Sequence, residues 1–278
     1  MDHGKTSFLD RVRRTDLAVR EPGLITQHIG GTEVPDEVLQ ELCAPLLGEK
    51  RLESPGLLFI DTPGHQAFTT LRARGGALAD IAVLIVDVNE GFKPQTIESL
   101  RILQRNRTPF VVALNKIDRV SGWAKHDGMP FITSHQLQIE QVQERLDDRV
   151  LHFVERMYME GIPSERYDRI EDFTGSVALV PISAKTGEGI PDLLLILVGL
   201  SQRYLQDKLG YEATGPARGT VLEVKDVQGL GKTVDAIVYD GVLRTGDKMV
   251  LGGVNGPIRS QVKALLKQIG RASCRERV

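Results

Sequence analysis

Asp61-Thr62-Pro63-Gly64-His65 closes the apolar run Leu58-Phe59-Ile60, so a carboxylate, a glycine and an imidazole stand where a buried strand should end. Asp61 there can hold Mg²⁺ through a water. The Gly64 N–H can approach a γ-phosphate because glycine lets the backbone come close, and His65 is placed to orient an attacking water. Upstream, Gly4-Lys5-Thr6-Ser7 opens a helical pattern. Free N–H groups and the positive end of a helix dipole favour phosphate at such a start. Lys5 would reach the β and γ oxygens and Thr6 would offer its hydroxyl to Mg²⁺, with Asp2 and His3 just ahead of them as further candidate nucleotide-binding residues. Downstream, Asn115-Lys116-Ile117-Asp118 follows the apolar run Phe110 to Leu114. Asp118 can accept from both the ring N–H and the exocyclic amine of guanine. Adenine lacks that pair, a mismatch worth about 10⁴-fold or more. Ser183-Ala184-Lys185 follows another apolar run, Val177 to Ile182, and the Ala184 amide could meet the guanine oxygen. Thr26, on a loop between the first helix and the Asp61 strand, would complete the Mg²⁺ shell only when a γ-phosphate is present.

Each run has an ordinary explanation by itself. Gly-Lys-Thr is a common helix start, Asp-Thr-Pro-Gly a common turn, and His28 reads as an exposed loop histidine. Taken in this order they describe Mg²⁺-dependent GTP hydrolysis by positioning and electrostatics, with Lys5 and the metal neutralising phosphate charge and no covalent nucleophile.

The elements needed to place these residues are legible. Strands are predicted at Leu57 to Ile60, Ile81 to Val88, Phe110 to Leu114 and Val177 to Ile182; their unbroken apolar character implies parallel strands covered on both faces. Helices are predicted at Lys5 to Arg14, Ala67 to Gly75, Gln95 to Asn106 and Ile190 to Tyr204. Between the third and fourth motifs, Val142, Leu146, Val150, Val154 and Met157 recur at helical spacing and predict one long helix packed on the domain's own core. The fold class is therefore α/β, a doubly wound and mostly parallel sheet over residues 1–207. From 208 to 268 the texture changes to short strands (Thr220 to Val224, Val234 to Tyr239, Lys248 to Leu251) with glycine-bearing turns, as in a partial all-β barrel. Asp240-Gly241 is a pair favoured in tight hairpins.

Composition bounds the rest. With 278 residues, 35 Lys+Arg against 37 Asp+Glu and a net charge of −2, no global basic field points to nucleic acid; any RNA contact must be local. Cys43 and Cys274 match no metal spacing or disulfide framework, which suits a reducing cytoplasm. No apolar run reaches membrane-spanning length, and the N-terminus has no export pattern. The full phosphate loop, Gly-x-x-x-x-Gly-Lys-Ser/Thr, would place its first glycine ahead of Met1, together with the strand feeding it, so the natural protein is expected to begin further upstream.

With these residues in hand, the chain resembles the translational GTPases, and among them the initiation factor two/five-B family in its archaeal and eukaryotic form. The resemblance is carried by Ile25-Thr26-Gln27-His28-Ile29-Gly30, Asp61 to His65, Asn89-Glu90-Gly91-Phe92-Lys93-Pro94-Gln95-Thr96 and Asn115 to Asp118. The insertion from Gly122-Trp123 to Pro130-Phe131 resembles the archaeal and eukaryotic branch. The resemblance implies a GTP-dependent factor that promotes ribosomal subunit joining, touches both subunits through rRNA and protein, hydrolyses GTP when the ribosome stimulates it, and acts as a cytoplasmic monomer. It also implies a monovalent cation beside Asp2, although Leu24 stands where the family has a carbonyl-supplying glycine. Initiator tRNA would be reached only through C-terminal domains that lie outside this sequence. The tail from Ile269 to Val278 resembles a translated sequencing adapter, a non-native end that would leave Cys274 without biological meaning. Two other readings share the motifs. One is an elongation or selenocysteine-specific factor carrying aminoacyl-tRNA, against which Thr26 to Gly30 and the 122–131 insertion stand. The other is a nonhydrolysing guanine-nucleotide binding fragment.

Overall fold

The run Phe110-Val111-Val112-Ala113-Leu114 becomes a strand, β4 (Phe110–Asn115), that buries both of its faces. Val111 and Ala113 enter one apolar core while Val112 and Leu114 enter another, as a two-residue period requires. In this computed structural model the described residues are 4–13, 30–52, 54, 56–61, 79–205, 215–227, 229 and 231–266. The chain divides into two units, Met1–Gln206 and Asp207–Val278.

In the first unit β4 is flanked by β3 (Ala82–Asp87) and β6 (Val177–Pro181), and β5 (Ser164–Arg166) lies outside β6. All three pairings are parallel, and all put the strand ends that carry Asp87, Asn115 and Pro181 at one edge. One core fills from α1 (Lys5–Arg13), α2 (Asp36–Leu47) and α6 (Ile190–Leu205), through side chains such as Phe8, Leu39 and Leu193. The other fills from α3 (Pro94–Arg105), the short α4 (Phe131–Gln136) and α5 (Glu140–Met159). Pro94 opens α3 where its missing N–H costs nothing, and the Thr96 hydroxyl accepts from the Lys93 N–H at 3.4 Å. The long helix is α5. It buries Val142, Leu146, Val150, Phe153 and Met157, so Phe153 takes the place in the stripe that the sequence assigns to Val154; Val154 packs only partly against the same core. Among the described residues no helix is long and apolar enough to cross a membrane.

One strand departs from expectation. β2 (Leu57–Asp61) is antiparallel to β1 (Gly30–Val34), with Asp61 opposite Gly30, and no ladder among the described residues joins it to β3. Its unbroken apolar run implied cover on both faces, yet Leu58 is 50% exposed. Only Leu57 and Phe59 pack on the core. The helix expected at Ala67 to Gly75 lies outside the described residues.

Among the described residues of the second unit the regular elements are strands: β7 (Arg218–Val227) pairs antiparallel with β8 (Gly231–Asp240), and β9 (Lys248–Gly253) with β10 (Gly256–Gln261). Asp240-Gly241 forms neither hairpin turn. Gly241, at φ +68°, instead lets the chain pass residues 215 and 216, where an added Cβ would lie 2.5 Å from the Gly215 and Pro216 carbonyl oxygens.

Replacing Leu146, fully buried on α5, with Ala should cost about 2–5 kcal/mol through lost transfer energy and a residual cavity. Leu151→Ala on the exposed face should stay within about 0.5 kcal/mol. Urea midpoints followed by the single tryptophan, Trp123, read both, and equal shifts would contradict the assigned helix face.

Candidate functional site

Asn115 ends β4 with a side chain only 1% exposed, so its amide must find partners within the protein. Its Oδ1 accepts from its neighbour's N–H, that of Lys116, at 2.8 Å, and from the Ala184 N–H at 2.9 Å. The loop after β4 is thereby stitched to the loop after β6. Lys116 takes the left-handed conformation at φ +70°. That bend starts a 3-10 turn, Ile117–Arg119, held by the Ile117 N–H donating to the Ile182 carbonyl at 3.2 Å.

The turn sets Asp118 beside Ser183, whose hydroxyl donates to Asp118 Oδ1 at 2.8 Å. Ser183 Oγ in turn accepts from the Thr186 N–H at 3.1 Å, which commits its own hydrogen to Asp118 and fixes the carboxylate's orientation. A fixed carboxylate at a strand's carboxyl edge is suited to accept from paired donors on a base. The Ala184 amide, expected to face a guanine oxygen, here donates to Asn115. A base oxygen would have to share or displace that bond.

The start of α1 meets this rim. Gly4, at φ +85°, lies so near Asn115 that an added Cβ would fall 2.2 Å from Asn115 Nδ2. Its carbonyl accepts from the Phe8 N–H at 2.9 Å, closing the first helical turn that carries Lys5, Thr6 and Ser7. Farther along α1, Arg11 donates to the Thr186 carbonyl at 2.8 Å. Phe8 meets Phe59 of β2 edge-on at 5.7 Å, and Arg13 Nε donates to Thr32 Oγ1 of β1 at 2.6 Å. These contacts hold the β1–β2 pair, which ends at Asp61, against α1. Gly4, Asn115, Lys116, Asp118, Ser183 and Ala184 thus form one contiguous set with the head of α1. Lys185 is exposed on the same loop. Asp2, His3, Leu24, Thr26, Gly64 and His65 lie outside the described residues.

Asp87 is a rim residue that the sequence reading passed over. It ends β3 and binds Lys116 Nζ at 2.8 Å, with both side chains largely buried. Asn89 joins them, donating its N–H (2.9 Å) and side-chain amide (3.1 Å) to Asp87 Oδ1 and the same amide to the Lys116 carbonyl; Arg149 of α5 donates to Asn89 Oδ1. Burial pushes the Asp87 carboxyl up, but the bonds from Lys116 and Asn89 outweigh it and hold the group below its ordinary value of 3.8. The available signal was the one that marked Asp61: a carboxylate closing an apolar strand at its carboxyl end.

A threonine hydroxyl such as that of Thr6 and a carboxylate such as that of Asp61 are hard oxygen donors, a chemistry that suits Mg²⁺. Among the described residues no cluster of three or more His, Cys, Asp and Glu could hold a metal ion. A surface groove of about 230 Å³ along α3, lined by Pro94, Ile97 and Arg101 among others, includes none of the site residues.

Comparison with known proteins agrees with this geometry. Residues 1–203 match the family described as the elongation factor Tu GTP binding domain. The chain is 55% identical over 269 residues to a probable translation initiation factor IF-2 from Methanopyrus kandleri, and 57% identical over 268 residues to that of Methanococcoides burtonii. Each match covers 96% of this chain and 45% of the relative, so the chain spans less than half the length of these proteins. The crystal structure of GDP-bound aIF5B from Aeropyrum pernix superposes with a TM-score of 0.85 at 52% identity, over 96% of this chain and 45% of that one. A bacterial selenocysteine-specific elongation factor, at 22% identity and a TM-score of 0.55 over 95% of this chain and 37% of that one, shares the fold alone.

Two substitutions test the rim. Gly4→Ala forces a methyl into Asn115 at a positive φ and should weaken GDP binding at least about fivefold, given strain of about 1–3 kcal/mol; unchanged affinity in a calorimetric titration would show that the two loops do not meet. For Asp87, the folded value lies below the unfolded one, so its ion pair stabilises the fold above pH 3.8 and that contribution is lost as pH falls through the depressed folded value. Asp87→Asn should therefore cost about 3 kcal/mol at neutral pH and flatten the acid side of the stability curve. Parallel curves for the two proteins between pH 2 and 5 would contradict it.

Proposed function

The chain belongs to the family of the elongation factor Tu GTP binding domain, and from that premise we propose that it binds and hydrolyses GTP as the GTPase part of a translation initiation factor. The observation that carries this is the Ser183–Asp118 bond, locked by Thr186 and set beside the head of α1. It supports a guanine acceptor at one end of the rim and a phosphate cradle at the other. Asp118 accepts from the guanine ring N–H and amine, and the Ala184 amide turns from Asn115 to the guanine oxygen. Lys116 and Asn115 hold the loops that do so. At the other end Gly4 to Ser7, preceded by Asp2 and His3, wrap the phosphates with backbone N–H groups and the Lys5 ammonium.

Thr6 and, through a water, Asp61 would hold Mg²⁺, which when bound would neutralise charge on the transferring phosphoryl group. Thr26 joins only in the GTP state, the Gly64 N–H meets the γ-phosphate, and His65 orients the attacking water. Residues 1–207 form the GTP-binding domain and 208–268 part of a β-barrel. In this reading the factor works as a cytoplasmic monomer that promotes subunit joining, touches both ribosomal subunits, and reaches initiator tRNA through parts of the full protein beyond this chain.

Displacement of a fluorescent GDP analogue by GTP but not by ATP is the expected result, and equal displacement by ATP would end the reading. His65→Ala should leave GTP affinity within about twofold while lowering ribosome-stimulated turnover by about 10²-fold or more, the usual worth of a group that positions a proton-transferring water. Equal losses in affinity and turnover would remove His65 from its role.

A further inference from the structure

Glu188 has no part in the chemistry above, yet its side chain is wholly buried directly behind the Ser183 to Lys185 loop. Three side-chain donors converge on it. Trp123 Nε1–H reaches Oε1 at 3.0 Å and the Ser134 hydroxyl reaches the same oxygen at 2.6 Å; the Thr186 hydroxyl donates to Oε2. Trp123 and Ser134 come from the segment that follows the Asn115 loop, whereas Thr186 belongs to the loop after β6. Main-chain bonds run alongside: the Gly128 N–H donates to the Thr186 carbonyl at 2.9 Å and the Gly189 N–H to the Met129 carbonyl at 3.0 Å. Glu188 is therefore the buried knot that fastens the 122–134 segment to the loop whose Thr186 N–H holds Ser183, and so Asp118.

We infer that Glu188 is a positioning residue for base recognition: through Thr186 and Ser183 it fixes the orientation of the Asp118 carboxylate, and the inserted segment sharpens guanine selectivity without touching the nucleotide. This rests on Asp118 being the guanine acceptor. A carboxylate that accepts from two donors of one base must hold its plane, whereas accepting from one donor tolerates rotation. Loosening the knot thus costs guanine more than hypoxanthine, which lacks the exocyclic amine. A general structural prop would lower both affinities alike.

The probes are GDP and inosine diphosphate, titrated calorimetrically against the unchanged chain and against Glu188→Ala, Thr186→Val and Trp123→Phe. Thr186→Val keeps the main-chain N–H and deletes only the hydroxyl, and Trp123→Phe keeps an aromatic ring and deletes the donor, so the test stands even if Glu188→Ala does not fold. Glu188→Ala should weaken GDP about tenfold, the worth of a bond to a charged group, and shrink the GDP preference over inosine diphosphate at least about threefold. The other two variants should move the same ratio in the same direction by smaller factors. An unchanged ratio in the folded variants, whether their melting temperatures fall or not, would overturn the inference. Failure of the unchanged chain to bind either diphosphate would overturn the proposed function, and this inference with it.

Discussion

Everything at the rim depends on one buried amide. Asn115 closes the central strand β4 with its side chain out of solvent, and an amide so placed is costly unless its polar atoms are met. Its oxygen is met by the Lys116 and Ala184 N–H groups, which come from the loops after β4 and β6, and Gly4 at the head of α1 lies against its nitrogen. The bonds that satisfy Asn115 are therefore the bonds that assemble the site.

This arrangement needs a sheet that delivers its strands in register. β3, β4 and β6 are parallel, so their carboxyl ends arrive together and present Asp87, Asn115 and the residues following Pro181 along one edge. Helices on both faces provide the apolar cover that keeps such strands hydrophobic throughout and the edge polar groups shielded. The positive φ at Lys116, a residue with a side chain, is strain that the surrounding packing sustains.

Where the strand ending is itself the signal, the sequence alone locates the elements: β3, β4 and β6 fall where the apolar runs predict them. Asn115, Asp118 and Ser183 each follow such a run, and the structure brings them together, with the Ser183 hydroxyl donating to Asp118. Elements without a clean periodicity were passed over. β1 is Gly-Gly-Thr-Glu-Val, too polar and glycine-rich to read as a strand, and α2 carries Pro45 inside its helical span, which argues against a helix locally. β2 is legible as a strand, but an apolar run reveals neither its antiparallel pairing with β1 nor the exposure of Leu58. Asp87 carries the same signal as Asp61, a carboxylate closing an apolar strand, but its partner Lys116 lies 29 residues away; Glu188 has no such signal, and its donor Trp123 lies 65 residues away, which no local pattern encodes.

The phosphate-facing and base-facing ends of the rim are not independent parts. Arg11 rides on α1, seven residues beyond Gly4, and donates to the Thr186 carbonyl, the same oxygen that receives the Gly128 N–H. Gly187 is adjacent, and a Cβ there would lie 2.7 Å from the guanidinium, so the loop after β6 is shaped around Arg11. A helix is stiff over two turns. Any shift of its first turn toward or away from a phosphate must therefore be absorbed at Thr186, where Ser183 and Glu188 are also bound, or at the helix's own packing on Phe59. Because close-packed interiors transmit displacement instead of absorbing it, the lower-cost response is for the head of α1 and the Ser183 loop to move as one body.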